Sequence, residues 1–475
     1  MHVAVIGAYG SAGVAVAEGL VDYVGDGEPL DRLTMVDDGE PGGGLCILRG
    51  CMPSKEVLSA AEARYKTRHD DRLAGEPPQI DLDRVVERKD EHTSSFAAHR
   101  RAATERLADH DGVVFRHDTA RFVGPHELEL IDAGERLSPD YVVVATGSTV
   151  NVPDVPGIEE VGYATSADVL DATTLPDSGV VMGFGYVGIE MAPYLAEAGV
   201  DLTVIEHDAR PLDDAPAAFG DELLDLYRES FGIEVLTETH ERRLEPTADG
   251  GVRLHTDRDD DHATVEADQL FLFTGRRPNL DGLGLDATPL EPGPGWVDAT
   301  MRATDDETGR TYVVGDANGR EPILHVAKEQ GYLAADNVLA DLAGESLAAY
   351  DPTTHHVMFS GAGVYPYARV GHSADSAAAA GYETVTVRRE AADDGVFLTK
   401  AAPYGLAELT VDATDGTVLG YQGLHYHADA MAKTMQVLVE DGTDVRTVPD
   451  RAYHPTTPEI LDGLVRAASD EVGDA

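Results

Sequence analysis

Short apolar runs, each followed by a glycine turn and a helical run, recur along the chain. Residues 2–6 form one such apolar strand, glycines punctuate 7–13, and residues 14–20 continue as a helix. The same order returns at 179–182, where an apolar strand leads into a glycine turn over 183–188 and then into a helix. Strands that alternate with helices form parallel β-sheets, so this pattern predicts an α/β fold.

The first glycine turn predicts a phosphate-binding site, because glycines between a strand and a helix let backbone amides approach a pyrophosphate. Its glycines are Gly7, Gly10 and Gly13. Tyr9 makes the turn one residue longer than the pattern Gly-x-Gly-x-x-Gly. The next strand, 33–36, ends at Asp37, whose carboxylate is placed to bond ribose hydroxyls. The turn and the acid together predict a dinucleotide site.

The second glycine turn has the regular spacing and predicts a second dinucleotide site. Its glycines are Gly183, Gly185 and Gly188. The partner strand, 202–205, ends at Glu206, and a carboxylate there favours the free 2′-hydroxyl of NADH over the 2′-phosphate of NADPH. His207 and Arg210 follow closely, so both nucleotides stay open, with NADH slightly ahead.

The pattern changes from about residue 348 onwards, where strand-like runs alternate without long helices between them. The runs at 385–387, 408–411 and 418–421 predict an antiparallel sheet. Residues 56–110 have the charge pattern of solvated helices and predict no site.

Composition narrows the class of protein. With 475 residues the chain is long enough for two or three domains. It carries 87 acidic against 36 basic residues, a net charge of −51, which opposes binding to nucleic acid or to an anionic membrane. Salt screens such charge within roughly 3 Å at 1 M, so we expect a salt-loaded cytoplasm and a halophilic host. Since the chain starts without a basic leader and has no apolar run of about 18 residues, a cytoplasmic protein without a membrane span is expected.

Two cysteines, Cys46 and Cys51, are the only ones in the chain, and they follow the glycine run 42–44. Spacing alone leaves buried core thiols or half of a metal site open as alternatives. A tetrahedral zinc site usually needs four ligands, and the chain has no second pair to complete one, so no metal site is predicted. In a cytoplasmic protein a disulfide is more often catalytic than structural, which favours redox chemistry.

This stretch, Gly-Gly-x-x-Cys-x4-Cys-x-Pro-Ser-Lys, resembles the redox-active disulfide of the class I pyridine nucleotide-disulfide oxidoreductases. These flavoproteins include dihydrolipoamide dehydrogenase, glutathione reductase and mercuric reductase. Further motifs of the family follow in order, and they are Ala145-Thr146-Gly147, Gly183-x-Gly185-x-x-Gly188-x-Glu190, Gly275-Arg276-x-Pro278-Asn279, Gly315-Asp316 and His454-Pro455-Thr456-x-x-Glu459.

The resemblance runs from Val3 to Glu459. It implies an α/β chain with two Rossmann-like dinucleotide-binding domains, one for FAD and one for NAD(P), and a C-terminal α+β dimerisation domain. The implied boundaries are 1–148 and 274–347 for the FAD-binding domain, 149–273 for the NAD(P)-binding domain, and 348–475 for the dimerisation domain.

The resemblance assigns roles to both cysteines and to a histidine near the C-terminus. Cys51 becomes the thiolate nearer the flavin, which forms the charge-transfer complex, and Cys46 becomes the interchange thiol that attacks substrate. His454 is implied as the base, with Glu459 as the carboxylate that orients it. In the family this histidine reaches the disulfide of the other subunit, so an obligate homodimer is expected.

The resemblance also implies two cofactors, FAD and either NADPH or NADH. Glu190 is expected to pair with Lys55 beside the flavin, and Tyr186 to cover the flavin face until nicotinamide displaces it. The implied cofactor-binding residues are Gly7, Gly10, Gly13, Asp37, Gly44, Lys55, Ala145, Thr146, Gly147, Gly183, Gly185, Tyr186, Gly188, Glu206, Gly275 and Asp316.

The expected substrate is a small disulfide. Activity towards mercury is disfavoured, because in the family it needs further cysteines near the C-terminus and this chain has none there. The acidic composition favours a resemblance to the haloarchaeal bis-γ-glutamylcystine reductases, which pass electrons from NADPH to a small symmetrical disulfide. A non-catalytic flavin-binding redox sensor is disfavoured, because both cysteines and His454 are present.

The alternative is a dihydrolipoamide dehydrogenase that uses NADH. It is favoured by the Pro-Ser-Lys run after Cys51 and by Glu206. Tyr9, Leu45 and the stretch 360–366 depart from the pattern of that enzyme and argue for a side branch of the family.

Overall fold

The structure, a computed structural model, describes residues 1–258, 261–451 and 453–473. Its α-helices are α1 (Ser11–Leu20), α2 (Gly44–Leu48), α3 (Cys51–His69), α4 (Leu82–Leu107), α5 (Ser166–Leu170), α6 (Tyr186–Glu197), α7 (Ala217–Ser230), α8 (Leu324–Ala343), α9 (Ala374–Ala379), α10 (Gly395–Thr399), α11 (Ala428–Glu440) and α12 (Glu459–Val472).

The strands follow the same chain order. They are β1 (His2–Ile6), β2 (Arg32–Asp37), β3 (Val113–His117), β4 (Ala120–Gly124), β5 (Glu127–Leu130), β6 (Glu135–Leu137), β7 (Tyr141–Val144), β8 (Ser148–Val150), β9 (Tyr163–Thr165), β10 (Ser178–Met182), β11 (Asp201–Ile205), β12 (Glu234–Leu236), β13 (His240–Pro246), β14 (Val252–Arg258), β15 (Asp261–Ala267), β16 (Gln269–Leu272), β17 (Arg276–Pro278), β18 (Thr311–Val313), β19 (His355–Met358), β20 (Tyr367–Gly371), β21 (Thr384–Glu390), β22 (Gly405–Asp412) and β23 (Val418–His425).

These elements form two compact units. The first contains 1–53, 87–151 and 276–351, and the second contains 54–86, 152–275 and the described residues from 352 onwards. The predicted division into FAD-binding, NAD(P)-binding and dimerisation domains is finer than this grouping and stays a prediction.

The first unit is built on a parallel five-stranded sheet in the order β18-β7-β1-β2-β3. Helices α1 and α8 pack closely at Gly331. A Cβ there would lie 2.5 Å from the Ala12 carbonyl oxygen, so glycine permits the contact. Ile6 of β1 is in register with Val36 of β2, so the glycine turn after β1 and the acid that ends β2 lie at the same sheet edge.

The second unit contains a similar parallel sheet in the order β12-β11-β10-β16-β9. Met182 of β10 is in register with Ile205 of β11, so the second glycine turn and Glu206 also share one edge. A Cβ at Gly179 would lie 2.5 Å from the Phe271 ring, so glycine at this position lets β10 and β16 pack side by side.

A separate antiparallel sheet, in the order β19-β20-β23-β22-β21, completes the second unit. Its buried side chains, such as Leu409 and Tyr421, pack with Met431 of α11 and Leu464 of α12. The predicted fold class is confirmed, with two parallel sheets behind glycine turns and an antiparallel sheet near the C-terminus. Among the described residues, no helix is both long enough and apolar enough to cross a bilayer.

Candidate active site

The two cysteines lie side by side at the junction of two helices. Cys46 lies in α2 and Cys51 begins α3, and their sulfur atoms are 2.7 Å apart as two thiols. Gly50 makes this turn possible, because a Cβ there would lie 3.0 Å from both the Cys46 Cα and the Leu45 carbonyl oxygen. Sequence reasoning assigned no role to Gly50. The two sulfurs are close enough to close a disulfide without a large backbone movement.

The hydrogen bond with Cys51, together with burial, raises the pKa of the Cys46 thiol. The two sulfurs are within hydrogen-bonding distance, and either thiol can be the donor. The two thiols titrate as a pair, and the thiolate at Cys51 stays a prediction from the family resemblance.

The glycine run before Cys46 packs directly on the first glycine turn. A Cβ at Gly44 would lie 3.0 Å from the Gly10 Cα, and a Cβ at Gly42 would lie 3.1 Å from the Tyr9 ring. Glycine at both positions therefore brings the cysteine segment against the predicted phosphate site.

The first glycine turn has the close approaches that a dinucleotide site needs. A Cβ at Gly7, where φ is +92°, would lie 2.3 Å from the Ala145 carbonyl oxygen, and a Cβ at Gly13 would lie 2.2 Å from the Gly7 carbonyl oxygen. Gly10 is the N-cap residue of α1 and has no side chain that could bond to the helix. The first amide groups of α1 therefore remain available to an anion. The hydroxyl oxygen of Thr146 is buried with no hydrogen-bond partner among the described residues. These features fit FAD.

The acid that ends β2 is buried and holds the turn through its backbone. Asp37 accepts the N–H of Tyr9 at 2.8 Å with Oδ2 and the N–H of Gly39 at 2.8 Å with Oδ1. Burial raises the pKa of this carboxyl group. Tyr9, the extra residue of the first turn, thus donates one hydrogen bond to Asp37, the residue that is predicted to bind the ribose. Each oxygen of the Asp37 carboxylate keeps a further lone pair for a ribose hydroxyl.

Asp316 lies in the short 3-10 helix Gly315–Asn318 after β18 and accepts the hydroxyl proton of Ser148 at 2.6 Å. Arg276 holds Ser148 in turn, since its Nε donates to the Ser148 hydroxyl at 2.9 Å and its Nη2 donates to the carbonyl at 2.6 Å. Sequence reasoning missed Ser148, although it directly follows the Ala-Thr-Gly motif. Gly147 and Gly275 have φ values of +72° and +82°, which favour glycine on conformational grounds alone.

The second glycine turn repeats the geometry of the first. A Cβ at Gly183, with φ +95°, would lie 2.6 Å from the Phe273 carbonyl oxygen, and one at Gly188 would lie 2.2 Å from the Gly183 carbonyl oxygen. Gly185 caps α6 without a side-chain bond. Glu206 is buried, its Oε1 accepts the N–H of Asp208 at 2.9 Å, and burial raises the pKa of its carboxyl group. The turn accommodates a dinucleotide, and its acid is already partly engaged.

Lys55 and Glu190 form an ion pair within the second unit. The Lys55 Nζ donates to Oε2 of Glu190 at 2.7 Å and to Oε1 at 2.9 Å, and the side chains are 31% and 17% exposed. Tyr186 begins α6, is exposed, and stacks edge to face on His356 with ring centroids 4.5 Å apart.

His454 and Glu459 form a second pair, at the start of α12. Nδ1 of His454 lies 3.0 Å and 3.2 Å from the two Glu459 oxygens, and Oε1 also accepts the N–H of Thr456 at 3.0 Å. The hydrogen bond with His454 lowers the pKa of the Glu459 carboxyl group. The pairing leaves Nε2 of His454 as the nitrogen that can accept a proton from another group. The imidazole is 78% exposed.

Two models of known protein families match most of the chain. Residues 1–331 match the model of the pyridine nucleotide-disulfide oxidoreductases, and residues 362–464 match the dimerisation domain of the same family. The chain belongs to this family, in its class I. The family prediction is thereby confirmed, and the dimerisation domain supports a homodimer.

Curated relatives span nearly the whole chain at low identity. A dihydrolipoyl dehydrogenase of Halobacterium salinarum is 26% identical, covering 91% of this chain and 90% of the relative. Dihydrolipoyl dehydrogenase 2 of Haloarcula marismortui is 28% identical, with 90% of each covered. A mercuric reductase of Shigella flexneri is also 28% identical, covering 98% of this chain and 80% of the relative.

Among solved structures, the HOCl-induced flavoprotein disulfide reductase RclA from Escherichia coli has the same fold. Its TM-score is 0.82 at 21% identity, with 99% of this chain and 100% of that chain covered. Membership of the family implies FAD and a pyridine nucleotide as cofactors, as predicted. In the described part of the chain, no group of three or more histidine, cysteine or acidic side chains could hold a metal ion.

Proposed function

We propose that the protein is an NAD(P)H-dependent disulfide reductase whose substrate is a low-molecular-weight disulfide, bis-γ-glutamylcystine first among the candidates. The 2.7 Å approach of the two sulfurs carries this proposal. NAD(P)H and one proton are consumed, and one disulfide becomes two thiols. When bound, FAD relays the electron pair of the nicotinamide to the Cys46–Cys51 disulfide.

The chain's own residues then carry out thiol exchange. Cys46 attacks the substrate disulfide, one substrate thiol leaves, and a mixed disulfide forms. Cys51 attacks the Cys46 sulfur, releases the second thiol and restores the disulfide. His454 takes the proton from Cys46 and returns it to the leaving thiolate through Nε2, while Glu459 fixes the ring and stabilises its charged form. In this proposal each His454 serves the cysteine pair of the other subunit.

The ammonium of Lys66, which also pairs with Glu62, lies near the base motif and supports a substrate rich in carboxylates. The Lys66 ammonium lies 4.8 Å from the Tyr426 ring centre, and His427 stacks on that ring at 3.8 Å. Nδ1 of His427 in turn lies 3.2 Å from the Thr457 hydroxyl, within the base motif. The chain has only six lysines, so a lysine at this place is an unusual source of positive charge in an acidic chain. Lipoamide is uncharged and gains nothing from it.

The composition also supports a proposal for the cellular location of the protein. A net charge of −51 is suited to a cytoplasm with molar salt, and we place the protein there. The proposed domains keep the predicted limits, with FAD held by 1–148 and 274–347, the nicotinamide nucleotide by 149–273, and the subunit interface formed by 348–475.

The test is nucleotide oxidation by purified protein in concentrated KCl, with bis-γ-glutamylcystine or lipoamide as the disulfide, each with NADPH and with NADH. Preference for bis-γ-glutamylcystine supports the proposal. Preference for lipoamide with NADH overturns it in favour of a dihydrolipoamide dehydrogenase, which Glu206 and the haloarchaeal relatives favour. Flavin-containing protein that oxidises neither nucleotide with any disulfide would make the chain a redox sensor.

A further inference from the structure

Residues 359–363 follow β19 and are held against α6 within the second unit. The buried Tyr227 hydroxyl donates to the Ile189 carbonyl of α6 and accepts the N–H of Gly361 at 3.2 Å. The backbone at Ala362, which is fully buried, has φ +57°, and the glycines on either side also have positive φ. A conformation this rare for alanine persists only where the surrounding contacts fix it, so this segment is held in one position.

Phe359 begins the segment and contacts both members of the Lys55–Glu190 pair. Its backbone N–H donates to Oε1 of Glu190 at 3.0 Å. Its ring faces the Lys55 ammonium, with 4.6 Å between Nζ and the ring centroid. The amide favours a carboxylate, and the negative face of the ring favours a cation, so one residue stabilises both charges at once.

We propose that Phe359 is a positioning residue that fixes the Lys55 ammonium relative to Glu190. The inference rests on the proposed function only in what it says of turnover, since the contacts are independent of substrate. The Lys55 ammonium also donates to the Ser54 hydroxyl at 3.2 Å. The Phe359 ring adds a further partner to Glu190 and Ser54, and so restricts the position of the ammonium. The Phe359 ring thus fixes the position of the positive charge on the Lys55 ammonium.

The first experiment reads the contact directly. The chain has six lysines, so protein labelled with 13C at lysine Cε gives few NMR signals, and Lys55→Arg identifies the Lys55 signal by its loss. An aromatic face shifts nearby protons upfield. We expect Phe359→Leu to remove this shift from Lys55 and Phe359→Tyr to keep it. A Lys55 signal that is the same in Phe359→Leu and in the wild type would overturn the proposal.

A matched control comes from another lysine that lies over a ring. Lys328 Nζ is 5.6 Å from the Tyr332 ring centroid, on the exposed side of α8. Tyr332→Leu should move only the Lys328 signal and leave disulfide turnover unchanged. Movement of the Lys55 signal in Tyr332→Leu would show that the shifts report general loosening, and would overturn the proposal.

The second experiment reads the consequence. We expect Phe359→Leu to slow single-turnover reduction of the bound flavin by NAD(P)H by about 3- to 10-fold, the size of a partly desolvated cation–π contact. The KM for the disulfide should not change, and Phe359→Tyr should restore the rate. Fluorinated phenylalanines at position 359 keep the ring shape but weaken its negative face, so the rate should fall stepwise with fluorine number.

Equal rates across the fluorinated series would reduce Phe359 to a packing residue and overturn the proposal. Failure of the proposed function looks different, because the wild type would then turn over no small disulfide while the Lys55 signal still responded to Phe359→Leu. The two failures are therefore distinguishable.

Discussion

His425 should make the second unit less stable in mild acid. The side chain is fully buried at the end of β23, where Nδ1–H donates to the Tyr426 carbonyl at 3.0 Å and Nε2 accepts the Tyr421 hydroxyl proton at 2.8 Å. Burial lowers the pKa of His425 from 6.5 to about 4. The neutral ring satisfies both partners, whereas the charged ring would have to be buried without a counter-ion.

The magnitude follows from these two pKa values. Because the folded pKa is lowered, the unfolded chain binds more protons between pH 6.5 and 4, so the stability contributed by neutral His425 is present above pH 6.5 and is lost as the pH falls towards 4. Moving from about pH 7.5 to about pH 4.5 should lower the free energy of unfolding by about 2 to 3 kcal/mol through this group alone. Relief of repulsion among the 87 acidic residues acts in the opposite direction, so the group must be isolated by a variant.

The variant is His425→Gln, which keeps an acceptor for Tyr421 but does not titrate. The assay is guanidinium unfolding in concentrated KCl, followed by far-UV circular dichroism at both pH values. We expect the variant to be less stable than the wild type at neutral pH, and the difference between them to shrink by about 2 to 3 kcal/mol in acid. A difference that is equal at the two pH values would refute the reasoning.

Three further predictions concern the site itself. Cys46→Ser and His454→Ala should each abolish disulfide turnover while the flavin stays bound, as measured by nucleotide oxidation and visible absorbance, and unchanged turnover in both would contradict the mechanism. Gly7→Ala places a Cβ 2.3 Å from the Ala145 carbonyl oxygen, so the purified variant should lose its FAD, and a full flavin-to-protein absorbance ratio would argue against this turn as the FAD site. Glu459→Gln should lower kcat by roughly tenfold or more without loss of flavin, because the imidazolium loses its carboxylate partner, and a wild-type kcat would remove Glu459 from the base pair.

Much of the fold could be predicted from local sequence because the deciding residues lie close together in the chain. The strand over residues 2–6 and the glycine turn that follows it are set by apolar residues and by a positive φ at Gly7. For the cysteine pair, spacing alone left other functions open and the family resemblance favoured a redox pair, and the structure brings the two sulfurs within 2.7 Å.

The contacts of Phe359 could not be predicted in this way. Glu190 is 169 residues away in the chain, and the two meet where Tyr227 and the left-handed backbone at Ala362 hold the segment that Phe359 begins. The unusual stretch 360–366 indicated a departure from the family pattern, but a pattern of residue types does not reveal which helix a segment packs against. Ser148 is similar, because its bond to Asp316 depends on the pairing of β7 with β18 across the first sheet.

Within one subunit, Cys46 needs a proton acceptor, and His454 needs a surface that covers it. The hydrogen bond with Cys51 and burial raise the pKa of the Cys46 thiol, so a nearby proton acceptor would favour the nucleophilic thiolate. His454 has its orienting carboxylate in place but is 78% exposed, so its own subunit does not enclose the nitrogen that would accept that proton. An exposed and oriented base is complete only when another surface covers it. We propose that the second subunit of a homodimer supplies that surface, so disulfide turnover should require the dimer while flavin binding should not.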